Sequence, residues 1–278
     1  MYETVVGVDF LCLSVKTKAS RYDQTVIVFV PGRFNRANMF VPWMQFCAEQ
    51  NFTAMAVNFE VAAGRGLEDY AADLEVFVKH VAGQAGRVIL VGHDTGAAVA
   101  YRVAAAWPGL VKALVLVNPT GFLGPCFELC LRAPRLWLRN LSRIFSGDLC
   151  SLNQREVATY FFNKVGPNWA TRIHYAFREE SGRVLLQSLC GLSYRKQSRP
   201  MLTIVGRDDR LLTPRSQASF GGEQRDITIR GCNLGHMIPL EDALKGYCVL
   251  KEILHWLDRE AGFLEEAAKP SRSSYRSD

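Results

Sequence analysis

The sequence predicts an α/β protein with a mostly parallel central sheet, helices on both faces and one helical insertion. Short runs rich in β-branched and apolar residues alternate with segments of helical periodicity. The central runs lack an apolar/polar alternation, so both faces of the sheet should be covered. The alternation stops over residues 120–198 and resumes at "PMLTIVG", 200–206. The expected organisation is a core of 1–119 and 199–262, an insertion of 120–198, and a polar, flexible tail of 263–278.

Each element follows from local chemistry. "TVVGV" and "FLCLSV" read as early strands, and "TVIVFV" (25–30) as a buried one closed by the turn signal Pro31-Gly32. "ANMFVPWMQFCAEQ" has helical spacing, with Pro42 marking the helix start. "FTAMAVNF" is a strand. "GLEDYAADLEVFVKHVA" is an amphipathic helix with Leu67, Tyr70, Leu74, Phe77, Val78 and Val81 on one face. "RVILVG" and "VKALVLVN" are strands flanking the helix "GAAVAYRVAAAW", which Pro108 closes. "DITIRG" (226–231) is the last strand, and a helix follows from about 241 to 260. No internal repeat is present.

Composition sets limits on function. Of 278 residues, 49% are apolar and 22% charged, ordinary for a protein with a large core. No apolar run reaches the ~18 residues of a membrane span. "MYETVVGVDF" carries acid early and lacks a basic segment before an apolar one, so no secretory signal is expected. The eight cysteines should then be reduced thiols in a cytoplasmic protein. The five histidines (80, 93, 174, 236, 255) form no short-spaced cluster, so no metal is expected, and no phosphate loop or dinucleotide fingerprint calls for a cofactor. The net charge of +6 falls within residues 120–198, with 11 Lys+Arg against 5 Asp+Glu. That favours one basic subdomain over a nucleic-acid partner. Oligomeric state is left open.

Three motifs lie just after predicted strands, where open α/β sheets hold their ligands. They are "GHDTG" with Asp94, "GRDD" with Asp208 and Asp209, and "GHMIPLED" with His236. The chain order is nucleophile, acid, histidine. By itself Asp94 could be a helix N-cap, and His236 a structural histidine. As an ordered set, together with the "PGRF" turn, they resemble the α/β-hydrolase superfamily over about 1–262. The aspartate at the elbow makes the chain similar to the epoxide hydrolase and haloalkane dehalogenase branch.

That resemblance implies a cofactor-free hydrolase acting on a small apolar electrophile. A carboxylate displaces a leaving group at sp³ carbon and forms an alkyl ester, which a histidine-activated water then hydrolyses. Asp94 would be the nucleophile, its backbone strained. His236 would be the base and Asp209 its acid, with Asp208 in reserve. The N–H groups of Thr95 and Arg33 would form the oxyanion hole. His93 would be a hydrogen-bonding residue beneath the site. The insertion would be a lid whose tyrosines assist epoxide opening. Tyr194, in "SYRK", stands where one is expected, and Tyr160 and Tyr175 are candidates for the other. An epoxide is expected before an alkyl halide, because Thr95 stands where dehalogenases carry tryptophan. The chain departs from the branch at Pro31, at Phe34 in place of proline, and at "NFEVAAGRG" after strand 53–58. The alternative is a catalytically inactive binding or scaffold protein. In the lid, Arg132, Arg135, Arg139 and Arg143 form a basic stripe opposite Leu131, Leu138, Leu141 and Phe145. The stripe is expected to be a solvated face or, on the sharper reading, to attract anionic lipids, as a weak contact with a membrane surface, or acidic substrates.

Overall fold

The computed structural model describes residues 2–5, 8–13, 25–120, 127–163, 174–190, 198–218, 227–241 and 243–259. The tail expected over 263–278 lies outside them. Eight strands form one sheet: β1 (Tyr2–Val5), β2 (Val8–Leu13), β3 (Thr25–Val30), β4 (Thr53–Asn58), β5 (Arg87–His93), β6 (Val111–Val117), and, after two lid strands, β9 (Met201–Gly206) and β10 (Ile227–Cys232). Their order is β1-β2-β4-β3-β5-β6-β9-β10. β1–β2 and β2–β4 pair antiparallel, and every other pair in the sheet is parallel. The last strand sits one residue later than expected.

The continuous apolar strands are buried on both faces. Ile27, Phe29, Ile89, Val91, Val115 and Val117 face one cluster, with Phe40, Trp43 and the lid. Val26, Val28, Val30, Val88, Leu90, Leu114 and Leu116 face the other. That second cluster holds α2 (Leu67–Ala85) and α3 (Thr95–Ala106). On the first side α1 spans Val41–Glu49 with Pro42 in its first turn, after a 3₁₀ turn of Ala37–Phe40. Proline fits there because the first helical N–H groups need no partner within the helix.

The order reverses beside β3: β4 lies on one flank and β5 on the other. The turns leaving β3 and β5 therefore meet at the carboxyl edge, at the topological switch point. Above that edge lie helices of the 120–198 insertion, called the lid for its place over the edge: α4 (Phe127–Arg132), α5 (Pro134–Ser146) and a π-helical turn, Val157–Phe161. A two-stranded ribbon, β7 (Leu149–Cys150) with β8 (Glu180–Ser181), stands apart from the main sheet, and a lid helix, Gly182–Cys190, follows it. Among the described residues, no helix is long and apolar enough to cross a membrane.

Candidate active site

The turn between β5 and α3 carries Asp94 with φ 53° and ψ −124°. A non-glycine residue there stores about 1–3 kcal/mol of backbone strain. The surroundings hold it: the Asp94 N–H donates to the Val117 carbonyl at 3.0 Å, and the Asp94 carbonyl accepts from Ala97 at 3.1 Å and Thr120 at 3.1 Å. The flanking glycine is a steric requirement. A Cβ on Gly96 would collide with the backbone carbonyls of Val30 and Pro31. So α3 approaches β3 closely, and Asp94 is lifted above the sheet edge. An N-cap reading is not supported: the Asp94 side chain makes no cap hydrogen bond.

His236 lies in the turn after β10, and Asp209 in the turn after β9. The Nδ1–H of His236 donates to Asp209 Oδ2 at 2.8 Å, and Nε2 points toward Asp94 Oδ1 at 3.8 Å. Nε2 is buried without a hydrogen-bond partner. Asp209 is fixed by Leu211 N at 2.7 Å, Leu212 N at 3.2 Å and Gln217 Nε2 at 2.7 Å. Asp208 is exposed, and its carbonyl accepts from Asn163 at 2.7 Å. Asp209 is thus the carboxylate at His236. Asn118, on the β6 exit, supports the histidine turn: its amide donates to the Gly235 and His236 carbonyls, both at 2.9 Å, and its oxygen accepts from Gly206 N at 2.6 Å.

His93 lies beneath. Its Nε2 contacts the His236 carbonyl at 2.8 Å. A carbonyl only accepts, so this nitrogen carries the proton. Burial, and the charge of neighbouring His236, push the His93 pKa down to about 4, so the ring is neutral. Burial also opposes the charge on His236, but Asp209 and then Asp94 outweigh it and raise its pKa.

Arg33 was expected to contribute a backbone N–H, and its placement is richer. That N–H lies 3.2 Å from Asp94 Oδ2 and 2.8 Å from Thr95 Oγ1. Its guanidinium also enters the site, with Nη2 3.0 Å from Asp94 Oδ1. The pair is almost sealed: Arg33 is 3% exposed and Asp94 0%. The Thr120 hydroxyl donates to the same Oδ1 at 2.5 Å. Burial works against the Asp94 charge, but Arg33, His236, His93 and Thr120 together hold its carboxyl below the usual carboxylate value. Gly32 permits this approach, since a Cβ there would lie 2.7 Å from Asp94 Oδ2. Thr95 contributes its side-chain oxygen as an acceptor for Arg33, a role the spacing did not suggest. The departure at Phe34 also has a backbone reason. Its φ is +61°, which proline cannot adopt. Its N–H is held by buried Glu180 of the lid at 3.2 Å, and its carbonyl by Arg178 N at 2.8 Å.

Neither of the two described lid tyrosines is placed on this cluster. Tyr194 lies outside the described residues. Tyr175 is 59% exposed and stacks edge-on with His174, so the structure does not place it at the site. Tyr160 is partly buried and lines a surface pocket with Arg135 and Arg139. The lid ring over the histidine is Phe161, whose centroid lies 5.5 Å from that of His236. Sequence reasoning missed Phe161, Thr120, Asn118 and the Arg33 side chain. The "RF" after Pro31-Gly32 was the only local sign of the last. Among the described residues, no cluster of His, Cys, Asp and Glu could hold a metal ion.

A family model described as Alpha/beta hydrolase family matches residues 27–248. The chain belongs to this family. The fold is also similar to solved structures. One is an alpha/beta hydrolase fold protein from Chitinophaga pinensis, with 12% identity and TM-score 0.66 over 93% of this chain and 97% of that one. Another is the enol-lactonase from Burkholderia xenovorans LB400, with 12% identity and TM-score 0.66 over 93% of this chain and 100% of that one. A third is a carboxylesterase from Bacillus subtilis, with 16% identity and TM-score 0.65 over 92% and 90%. At these identities the likeness is one of fold alone. A search of curated proteins returned no match.

Proposed function

We propose that this α/β hydrolase opens an electrophilic sp³ carbon through an alkyl ester on Asp94, with an epoxide the first expectation and an alkyl halide the second. The observation that carries the reading is a carboxylate at the strained elbow facing the free Nε2 of a His236 that Asp209 orients. Serine would serve acyl transfer, whereas a carboxylate serves displacement at carbon.

In the first step an Asp94 oxygen bonds to the carbon, and the bond from that carbon to the leaving group breaks. The electron pair departs with the leaving oxygen or halide. Asp94 then loses its charge, and Arg33 would be left as an uncompensated buried cation, which is costly. An anion leaving beside it restores the balance. Arg33 therefore supports chemistry that expels an anion, and it supplies a donor where no described tyrosine reaches. In the second step His236 Nε2 takes a proton from water, and the water oxygen bonds to the ester carbonyl carbon, with the Arg33 N–H aiding the oxyanion. The bond from that carbon to the product oxygen then breaks, and the product alkoxide takes the proton from His236. The Asp94 acid returns to carboxylate by giving its proton to the opened epoxide oxygen or, after halide loss, to solvent. Esterification removes the Asp94 charge that helps raise the His236 pKa, which favours the neutral, basic ring when it is needed.

The second reading is a binding or scaffold protein. The sealed Arg33–Asp94 pair favours it, because the nucleophile is already occupied by a cation. Intact-mass analysis after incubation with aliphatic and aryl epoxides and with bromo- and chloroalkanes separates the two. His236→Gln should accumulate a covalent adduct on Asp94, and wild type should incorporate ¹⁸O from labelled water into that carboxylate. A folded His236→Gln protein without any adduct across the panel would leave the scaffold reading.

A further inference from the structure

The lid helix α5 presents three faces. Leu136, Trp137, Asn140 and Ile144 are buried, and the Trp137 indole N–H is fixed on the Leu129 carbonyl at 3.0 Å. The basic stripe Arg135, Arg139 and Arg143 is exposed. The third face carries the apolar residues that the sequence set opposite the basic stripe, and it is exposed. Leu138 is 71% exposed, Leu141 47% and Phe145 72%, and Leu131 of neighbouring α4 is 79% exposed. These are half of the eight large apolar side chains that are exposed among the described residues, gathered on one short stretch. Single exposed leucines are ordinary, but a row of them beside a row of arginines is not.

The arginines also frame a recess. Arg135, Arg139, Arg155, Asn153, Thr159 and Tyr160 line a surface pocket of about 440 Å³ at the foot of Leu138. Arg139 is neutralised there by Glu156 at 2.6 Å. Arg135 and Arg155 have no ion-pair partner among the described residues. Two guanidiniums are thus free to meet an anion, with amide, hydroxyl and phenol groups beside them. On α4, Arg132 pairs with Glu128 at 3.1 Å and donates to the Asp209 carbonyl at 3.0 Å, so this end of the lid rests on the turn that carries the acid.

We propose that this face docks on an anionic phospholipid bilayer, with Leu131, Leu138, Leu141 and Phe145 entering the acyl boundary and Arg135 and Arg155 meeting lipid phosphates. Charge chooses the occupant. The +6 net charge of the chain lies in residues 120–198, which suits an anionic surface and repels a second copy of the same face. A face that is both apolar and cationic also explains why neither stripe is covered by the fold. The inference does not depend on the chemistry at Asp94, so it stands or falls separately.

Co-sedimentation of the full chain with phosphatidylcholine vesicles, alone or with one-quarter phosphatidylserine, tests it. Binding should appear with phosphatidylserine and weaken with salt. Leu138→Ser/Phe145→Ser should weaken it about tenfold or more. Arg135→Gln and Arg155→Gln should each weaken it about fivefold. All four side chains are exposed, and an unchanged melting curve confirms that the variants fold. Equal binding to both vesicles, no binding to either, or binding that the double serine variant leaves intact would overturn the proposal. So would a dimer in solution that Leu138→Ser/Phe145→Ser dissolves, or tight capture of free glycerol phosphate without vesicle binding.

Discussion

Replacing Arg33 by methionine isolates the ion pair at the centre of the site. The substitution keeps much of the side-chain volume and removes the guanidinium. Nη2 lies 3.0 Å from Asp94 Oδ1, which places the two charge centres about 4 Å apart. At an effective dielectric of about 20, their attraction is about 4 kcal/mol. Mutational losses for one member of a buried pair fall in the same range, about 3–5 kcal/mol. A single domain has about 5–15 kcal/mol of net stability. Arg33→Met should therefore lower Tm by about 8–16 °C. Asp94→Asn should cost a comparable amount, because it strands the arginine. The double variant Arg33→Met/Asp94→Asn leaves neither charge, so it should be more stable than the sum of the single losses predicts by about 3 kcal/mol. Urea unfolding of the four proteins measures this. Additivity within about 0.5 kcal/mol would show that the guanidinium and the carboxylate are not coupled, and would remove the charge-balance argument for an anionic leaving group.

Three further expectations follow from the same geometry. The His93 pKa is lowered to about 4 from 6.5, so the unfolded chain binds more protons between those values; this stability is present above about pH 6.5 and is lost as pH falls toward 4. The loss approaches about 3 kcal/mol, and His93→Gln should flatten the fall of Tm across that window; parallel curves would contradict it. Asp209→Ala should reduce turnover by about 10⁴, as for the acid of other triads, whereas the exposed Asp208→Ala should have little effect, and the reverse ranking would reassign the acid. Gly96→Ala should destabilise by about 1–3 kcal/mol or more, since its Cβ meets backbone. Gly83→Ala, in α2 with open space around it, should stabilise by about 0.5–1 kcal/mol, and similar melting of both variants would count against the packing described.

The sheet and the three motifs at its carboxyl edge were legible in the sequence because their signals are local. A strand buried on both faces must be continuously apolar, and a helix facing a core must repeat its apolar residues at helical spacing, wherever the chain goes next. The order of "GHDTG", "GRDD" and "GHMIPLED" along the chain is equally local, and parallel connections bring all three to one sheet edge. What the sequence could not decide depends on atoms far apart in the chain. Arg33 and Asp94 are separated by 61 positions, and the arginine brings both its N–H and its guanidinium to Asp94 beside the left-handed turn at Phe34, which Glu180 of the lid holds. The sequence put Tyr175 forward and passed over Phe161, because nothing local says which lid aromatic faces the site. The π-helical turn sets Phe161 on His236, while Tyr175 faces solvent. In α5 the periodicity separates the arginine stripe from Leu138, Leu141 and Phe145 but does not single out the buried face. Only the packing of Leu136, Trp137 and Ile144 against the rest of the lid settles that, and it leaves Leu138 and Phe145 in water. Periodicity is a property of one segment, whereas burial is a property of the pair of surfaces that meet.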